Sequence, residues 1–201
     1  MKKVLTLLLS VFLLSGCSLF KDYYNADQLV AEMEKLVTQE NKNDSIINKA
    51  TDLRNQVIND LNAMKEPDQS KISDLSGKIE EAKKLLPQYK EEVKKIQSHF
   101  SDLKSKSARL EDENIKKMAE TFINDFMKTT ETELKYIEVF EKVLASDEEY
   151  MKDLKNGKET KDNQSQLDEL NKLHTQLQDE IKQFNESWNQ FVQSTTGQEV
   201  K

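Results

Sequence analysis

The chain has 201 residues and a formal net charge of −7, and 33% of its residues are charged. Its single cysteine excludes disulfides within the chain, and its four glycines leave little material for glycine-rich phosphate-binding loops. The acidic balance argues against nucleic acid as a partner. A charge-rich, glycine-poor composition of this kind is typical of long helices or coiled coils.

The N-terminal segment has the layout of an export signal that ends at a cysteine. Lys2 and Lys3 precede an apolar stretch over residues 4–14, which is too short to span a bilayer, because a spanning helix needs about 20 residues. Small residues and then Cys17 follow, as in the lipobox of bacterial lipoproteins. We therefore predict a signal peptide over 1–16 that is cleaved between Gly16 and Cys17.

The predicted modification of Cys17 determines where the protein is found. We expect a diacylglycerol on its sulfur, with palmitate as a typical acyl chain, and a new amino terminus that is open to acylation. Cleavage removes Lys2 and Lys3 and changes the formal net charge from −7 to −9. The mature chain is then expected on the extracytoplasmic face of the cell membrane, with residues 17–24 as a lipidated tether.

The first predicted helix covers residues 25–64. Its apolar residues recur at helical spacing from Leu29 to Met64, but Glu40 and Asn43 interrupt the pattern. The interruption makes this helix less regular than the next one without ending it.

The second predicted helix, over 72–110, has a more regular pattern. Its apolar positions alternate spacings of three and four residues, with Ser107 as the exception, and such spacing defines a coiled-coil-like seam. Pro87 removes one helical hydrogen bond and clashes with the preceding turn, so we expect a kink near 83–87 rather than a stop.

The third predicted helix, over 113–155, has a broader apolar face, which is suited to contact with two neighbours. The fourth, over 165–194, returns to the spacing of three and four residues. His174 occupies a seam position in that helix. We interpret it as a polar residue that tunes the register of the seam rather than as a metal ligand.

Short breaks at 66–68, 109–113 and 156–163 separate these helices, and short links favour antiparallel neighbours. We therefore predict an all-α fold, namely one elongated antiparallel helical bundle of about four long helices with coiled-coil-like packing. The bundle domain is expected over 25–194, with a C-terminal tail over 195–201. A parallel coiled-coil dimer is the alternative, because its helices also meet along a narrow seam.

The sequence lacks the common motifs of enzyme active sites. It contains no G-x-S-x-G motif, phosphate loop or dinucleotide fingerprint, and His99 and His174 belong to no metal-binding spacing. We interpret the acidic run over 147–149 as a solvated helix face. No catalysis, cofactor, metal site or small-molecule substrate is expected.

The predicted topology gathers large aromatic residues at the end of the bundle that carries the N-terminus. They are Phe100, Phe122, Phe126, Phe184, Trp188 and Phe191. We interpret them as core residues, with an anchor in the membrane interface as the alternative. The opposite end carries the polar links 65–70 and 156–162, which are either plain connectors or an exposed recognition surface.

Several segments together resemble a known protein family. They are the cysteine at Cys17, residues 110–120 (LEDENIKKMAE), the aromatic-rich segment 136–140 and residues 167–173 (LDELNKL). With these features the chain resembles the YkyA-like cell-wall-binding lipoproteins of low-GC Gram-positive bacteria, over nearly the whole mature chain. The resemblance implies a surface location and contact with the cell wall, and it carries over no catalytic residue.

An anionic wall polymer would repel a chain with a net charge of −9, so wall contact requires a local basic patch. Between Lys78 and Arg109, nine basic residues outnumber five acidic ones. The candidate contact residues are Lys83, Lys84, Lys90, Lys94, Lys95, Lys104, Lys106 and Arg109. The last three are also candidates for contact with anionic lipid.

The leading interpretation is a non-catalytic, membrane-anchored surface lipoprotein that binds cell-wall polymer or another part of the envelope. The alternative is a surface adaptor or scaffold that offers a helical face to an envelope protein. The broad apolar face of the third helix is the candidate for that role, provided that part of it stays exposed.

Overall fold

The computed structural model describes residues 21–160 and 163–196, and in this part of the chain every regular element is an α-helix. The helices are α1 (Lys21–Ala63), α2 (Gln69–Ser98), α3 (Phe100–Ser107), α4 (Glu113–Lys155) and α5 (Gln164–Thr196). The predicted all-α class is confirmed.

The helices form one antiparallel bundle of four members, in which α2 and α3 together make the second member. The main helix contacts are between α1 and α2, α2 and α4, and α4 and α5, whereas α1 and α5 touch sparingly. We call the end that holds the start of α1, α3 and the end of α5 the near end. The other, with the links 64–68 and 156–163, is the far end. At about 1.5 Å per residue, the 43 residues of α1 extend over about 65 Å.

The second predicted helix is interrupted at His99 and not at Pro87. Helix α2 continues through Pro87, whose side chain is exposed. Proline has no N–H to donate to the Lys83 carbonyl, and this carbonyl lies on the solvent side of the helix. At His99 the backbone N–H donates to the Ile96 carbonyl at 3.0 Å, a tighter turn that separates α2 from α3. Leu110 lies beyond the end of α3, but its side chain remains buried as the seam pattern predicts.

The aromatic residues gathered at the near end form a packed core. All six are at most 6% exposed. The ring of Phe122 lies 4.8 Å from that of Phe191 and 5.1 Å from that of Trp188, and the ring of Phe126 lies 5.1 Å from that of Phe184. The interpretation as core is therefore confirmed. The alternative of an interfacial anchor is wrong, because helices cover these rings on all sides.

The broad apolar face of α4 is buried between α2 and α5. Among the residues whose side chains are described, Tyr24 is the one large apolar residue left exposed, at 57%. The face considered for a protein partner is thus filled by the bundle itself, which removes the feature that the adaptor interpretation requires.

Hydrogen-bonded caps define where the helices begin and end at the links. Asp68 and Asp112 cap the N-termini of α2 and α4, and each carboxylate accepts from two backbone N–H groups. Helix α4 ends at Lys155, Gly157 just beyond it has a φ of +64°, and the N–H of Lys158 donates to the Asp153 carbonyl at 2.9 Å. This is the Schellman arrangement, and it turns the chain across the far end toward α5.

Some of the sequence predictions concern residues outside the described part of the chain. The signal peptide over 1–16, the lipidated Cys17 and most of the tail over 195–201 lie there. Helix α1 begins at Lys21, so the last residues of the tether predicted over 17–24 belong to the helix. Within 21–160 and 163–196, no helix combines the length and the apolarity that crossing a membrane requires.

Candidate functional site

Most of the basic residues predicted as a contact surface already have carboxylate partners. Lys90 Nζ lies 3.3 Å from Glu138 Oε1, and Lys83 pairs with Glu148, both between α2 and α4. The remaining pairs are Lys94 with Glu91, Lys95 with Glu92, and Lys106 with Glu32 and Asp102. Each pair at the surface contributes little stability, but each carboxylate reduces the attraction of that position for a polyanion.

The predicted basic residues also do not form one face. At about 100° per residue, Lys83, Lys90 and Lys94 share one side of α2, whereas Lys84 lies about 100° around the helix from Lys83. Lys84, Lys104 and Arg109 are exposed and have no ion pair within the described residues. Of these three residues, Lys104 and Arg109 lie close to the near end.

A cleft of about 500 Å³ opens at the far end, where α1 and α5 diverge above α4. Its walls combine apolar side chains with those of Arg54, Asn55, Asn62, Asp147, Tyr150 and Asn163. A shallower depression of about 610 Å³ runs between α4 and α5, and its lining consists of polar side chains, including those of Lys128, Lys172 and Asp179. The far-end cleft is the better candidate site, because a few polar groups within a partly apolar wall are typical of ligand sites.

The floor of the cleft is a polar network that joins three segments of the chain. Arg54 Nε on α1 donates to Asp147 Oδ2 on α4 at 2.6 Å, and Asn163 Nδ2 donates to Asp147 Oδ1 at 3.0 Å. The side chains of Arg54 and Asp147 are only 14% and 7% exposed. The interpretation of residues 147–149 as a solvated face is therefore wrong for Asp147, because Arg54 and Asn163 supply partners that make its burial tolerable.

A layer of buried polar side chains lies between the two apolar clusters of the core. We call it the polar layer, and its members are Glu40, Asn43, Asp44, Tyr89, Glu133 and Glu180, all at most 6% exposed. Glu133 on α4 lies near Glu40 on α1, and both of its carboxyl oxygens are buried without a hydrogen-bond partner in the described residues. The Tyr89 hydroxyl on α2 donates to Glu40 Oε1 at 3.2 Å. Every member of the bundle thus contributes to this layer.

Burial makes the carboxyl groups of the polar layer weak acids. Desolvation raises the pKa of Glu40 and, together with the charge of neighbouring carboxylates, raises that of Glu133 well above its ordinary value. Burial and the nearby Glu40 raise the pKa of Asp44 to about 8. Burial therefore favours the neutral, protonated form of these carboxyl groups.

The polar layer does not resemble a metal centre. In the described part of the chain, no group of three or more His, Cys, Asp and Glu side chains is placed to hold a metal ion. His174 lies half-buried on α5, where burial lowers its pKa, as fits a neutral residue in a helix seam.

In the sequence, the only sign of these polar features is a set of gaps in the apolar pattern of the helices. Helix α1 has no apolar residue from Thr38 to Ser45, and α4 has none from Lys128 to Glu133. These gaps face each other in the bundle and become the polar layer. Nothing local marks Asn163 as a partner of Asp147, since the two meet only when α5 folds back onto α4.

The chain matches a protein-family model over most of its length. The model is YkyA, described as "Putative cell-wall binding lipoprotein", and it matches residues 22–198, a span that contains nearly all of the described helices. Comparisons with curated proteins and with solved structures give no match.

Proposed function

This chain belongs to the YkyA family of cell-wall binding lipoproteins, and from that premise we propose that it is a non-catalytic surface lipoprotein that is anchored to the membrane and binds the wall. The observation that carries the proposal is the extent of the family match, which includes all the helices of the bundle apart from the first residue of α1. The anchor of the proposed lipoprotein is a diacylglycerol on Cys17, whose two acyl chains suffice for stable attachment.

The start of α1 supports a definite orientation on the membrane. Only four peptide steps separate Cys17 from Lys21, and a fully extended chain covers at most about 3.6 Å per residue, or about 14 Å in total. Lipid on Cys17 would therefore hold the near end close to the membrane surface. The far end would then stand about 65 Å away, in the direction of the wall.

The unpaired cations suit the same orientation. Lys104 and Arg109 lie near the end that faces the membrane, where anionic headgroups attract basic side chains by about 1 kcal/mol each. We propose that Lys84, Lys104 and Arg109 supply whatever attraction the predicted basic surface has for anionic lipid or wall polymer. The five paired lysines, which are Lys83, Lys90, Lys94, Lys95 and Lys106, contribute less because their carboxylate partners stay beside them.

Sedimentation with purified wall sacculi tests the proposal. The mature chain, residues 17–201 with Cys17→Ser to prevent lipidation, should pellet with sacculi at low salt. If it remains in the supernatant, direct wall binding is wrong.

A matched pair of triple variants then tests the basic surface. Lys84→Gln, Lys104→Gln and Arg109→Gln together should weaken association with sacculi or with anionic liposomes at low salt. The control carries Lys83→Gln, Lys90→Gln and Lys94→Gln, which changes the formal charge equally but removes paired lysines. Equal losses in both variants would contradict the assignment to the unpaired cations.

A further inference from the structure

The far-end cleft exists because α1 and α5 pack only lightly against each other. Helix α1 packs mainly on α2, and α5 packs mainly on α4, so the fourth side of the bundle stays open toward the far end. Above the Arg54–Asp147 pair, the exposed amides of Asn55 and Asn62 stand on one wall and the half-buried ring of Tyr150 on another. The volume of about 500 Å³ is within the range of small-ligand sites.

The charge of the cleft is balanced, which restricts the chemistry of its ligand. Among the described residues of the lining, Arg54 is the only cation, and its guanidinium is held by Asp147, whose other oxygen accepts from Asn163. A polyanion would meet the Asp147 carboxylate, and the one described cation is already paired with it. The cleft therefore favours an uncharged ligand over a phosphate-rich polymer.

The polar groups that remain are suited to a sugar. Side-chain amides both donate and accept hydrogen bonds, as hydroxyl and acetamido groups require of their partners. The Tyr150 ring and the neighbouring side chains of Ile58, Leu61 and Leu167 supply apolar surface for the C–H face of a pyranose ring. The polar groups of the cleft thus match the hydroxyl and acetamido groups of a sugar, and the aromatic wall matches its apolar C–H face.

We propose that the far-end cleft is a binding site for a short, uncharged segment of N-acetylated glycan. The role of this site in wall recognition rests on the proposed function, because that role requires the bound glycan to belong to the cell wall. In the orientation given above, the cleft stands at the end of the bundle away from the membrane, where the glycan strands lie. The site is separate from the basic surface and uses none of the eight basic residues assigned to it.

Titration calorimetry with the tetramer of N-acetylglucosamine tests the proposal on the mature chain carrying Cys17→Ser. The wild-type cleft should bind the tetramer with an affinity that changes little between low and high salt, because an uncharged ligand is not screened. Replacing both wall amides, Asn55→Ala and Asn62→Ala, should weaken binding on the order of tenfold, since hydrogen-bond partners of the ligand are lost. The control is Asn59→Ala, an exposed asparagine of the same helix that does not line the cleft, and it should leave binding unchanged.

The outcomes separate this site from the proposed function. If the chain pellets with sacculi but does not bind the tetramer, or if the double variant binds it as well as wild type, the cleft assignment is wrong and the proposed function stands. If the chain binds the tetramer through the two asparagines but does not pellet with sacculi, the cleft is a glycan site and the proposed function is wrong. Pelleting that persists with sacculi stripped of anionic polymer supports the cleft, and pelleting that requires the polymer contradicts the cleft as the route to the wall.

Discussion

The Tyr89 hydroxyl on α2 donates to Glu40 Oε1 on α1 at 3.2 Å in the middle of the bundle. Glu133 on α4 lies near Glu40, and both of its carboxyl oxygens are buried without a hydrogen-bond partner in the described residues. The polar layer around them also includes Asp44 on α1. Glu180 on α5 completes it, and its Oε1 lies 3.5 Å from Lys128 Nζ. In the described residues no ion pair neutralises Glu40, Asp44 or Glu133.

The raised pKa values predict that the protein loses stability as the pH rises. When a carboxyl group has a higher pKa folded than unfolded, the folded state holds its proton longer. Its contribution to stability is complete below the unfolded pKa and disappears as the pH rises through the folded pKa. For Asp44 this window runs from 3.8 to about 8. Urea unfolding followed by circular dichroism at several pH values should give a free energy of unfolding that falls across this window.

Glu133→Gln should flatten this dependence on pH. Each group that titrates only in the unfolded state contributes up to about 1.4 kcal/mol per pH unit, and glutamine removes one such group while keeping the shape of the side chain. The variant should therefore gain stability relative to wild type between pH 5 and pH 8. The control is Glu131→Gln, an exposed residue of the same helix, which should leave the slope as it is. A slope in Glu133→Gln equal to that of wild type would disprove the role assigned to Glu133.

The Arg54–Asp147 pair should contribute a measurable coupling energy between α1 and α4. Removing one partner leaves the other charge nearly buried without its counter-ion, so Arg54→Met or Asp147→Asn should each cost about 2–3 kcal/mol. The double variant should cost less than the sum, because no uncompensated charge remains. Urea denaturation of the four proteins measures the coupling. Lys78→Gln, which removes an exposed pair with Asp60 at 3.2 Å, should change stability by less than about 1 kcal/mol, and additive losses at Arg54 and Asp147 would contradict the coupling.

Two glycines should respond in opposite directions to the same change. Gly157 has a φ of +64°, and although a Cβ there would meet nothing within 4 Å, an alanine would be strained by about 1 kcal/mol. Gly77 lies in the middle of α2 with open space around it, so Gly77→Ala should stabilise the protein by about 0.5–1 kcal/mol. Thermal unfolding of both variants gives the comparison, and a stabilising Gly157→Ala would contradict the left-handed conformation at the end of α4.

The sequence pattern predicts the helices well where apolar residues recur without interruption. The seam from Ile72 to Leu110 appears in the structure as a buried row, and that of α5 as a row of buried and half-buried residues. The six aromatic residues of the near end pack together as expected. Periodicity succeeds here because one buried face per helix is the main requirement of a bundle. The apolar spacing does not predict the break at His99, since a single tight turn leaves that spacing unchanged.

The sites could not be predicted in the same way, because they depend on contacts between distant segments. Asp147 belongs to a run of three acidic residues, and its burial depends on Arg54, 93 positions earlier, and on Asn163. As a charged residue in a polar stretch, Glu133 is expected at the surface. In the structure it is only 2% exposed and lies near Glu40. Local spacing reports which face of a helix is apolar, but it does not report which polar residues of other helices complete a buried network.

The location and the orientation proposed for the bundle both depend on lipidation of Cys17. Intact cells that express wild type or Cys17→Ser should be labelled with radioactive palmitate and separated into membrane and soluble fractions. Wild type should be labelled and found in the membrane fraction, whereas Cys17→Ser should be unlabelled and either released in soluble form or retained as the uncleaved precursor. A cleaved Cys17→Ser protein that stays in the membrane fraction would contradict the account.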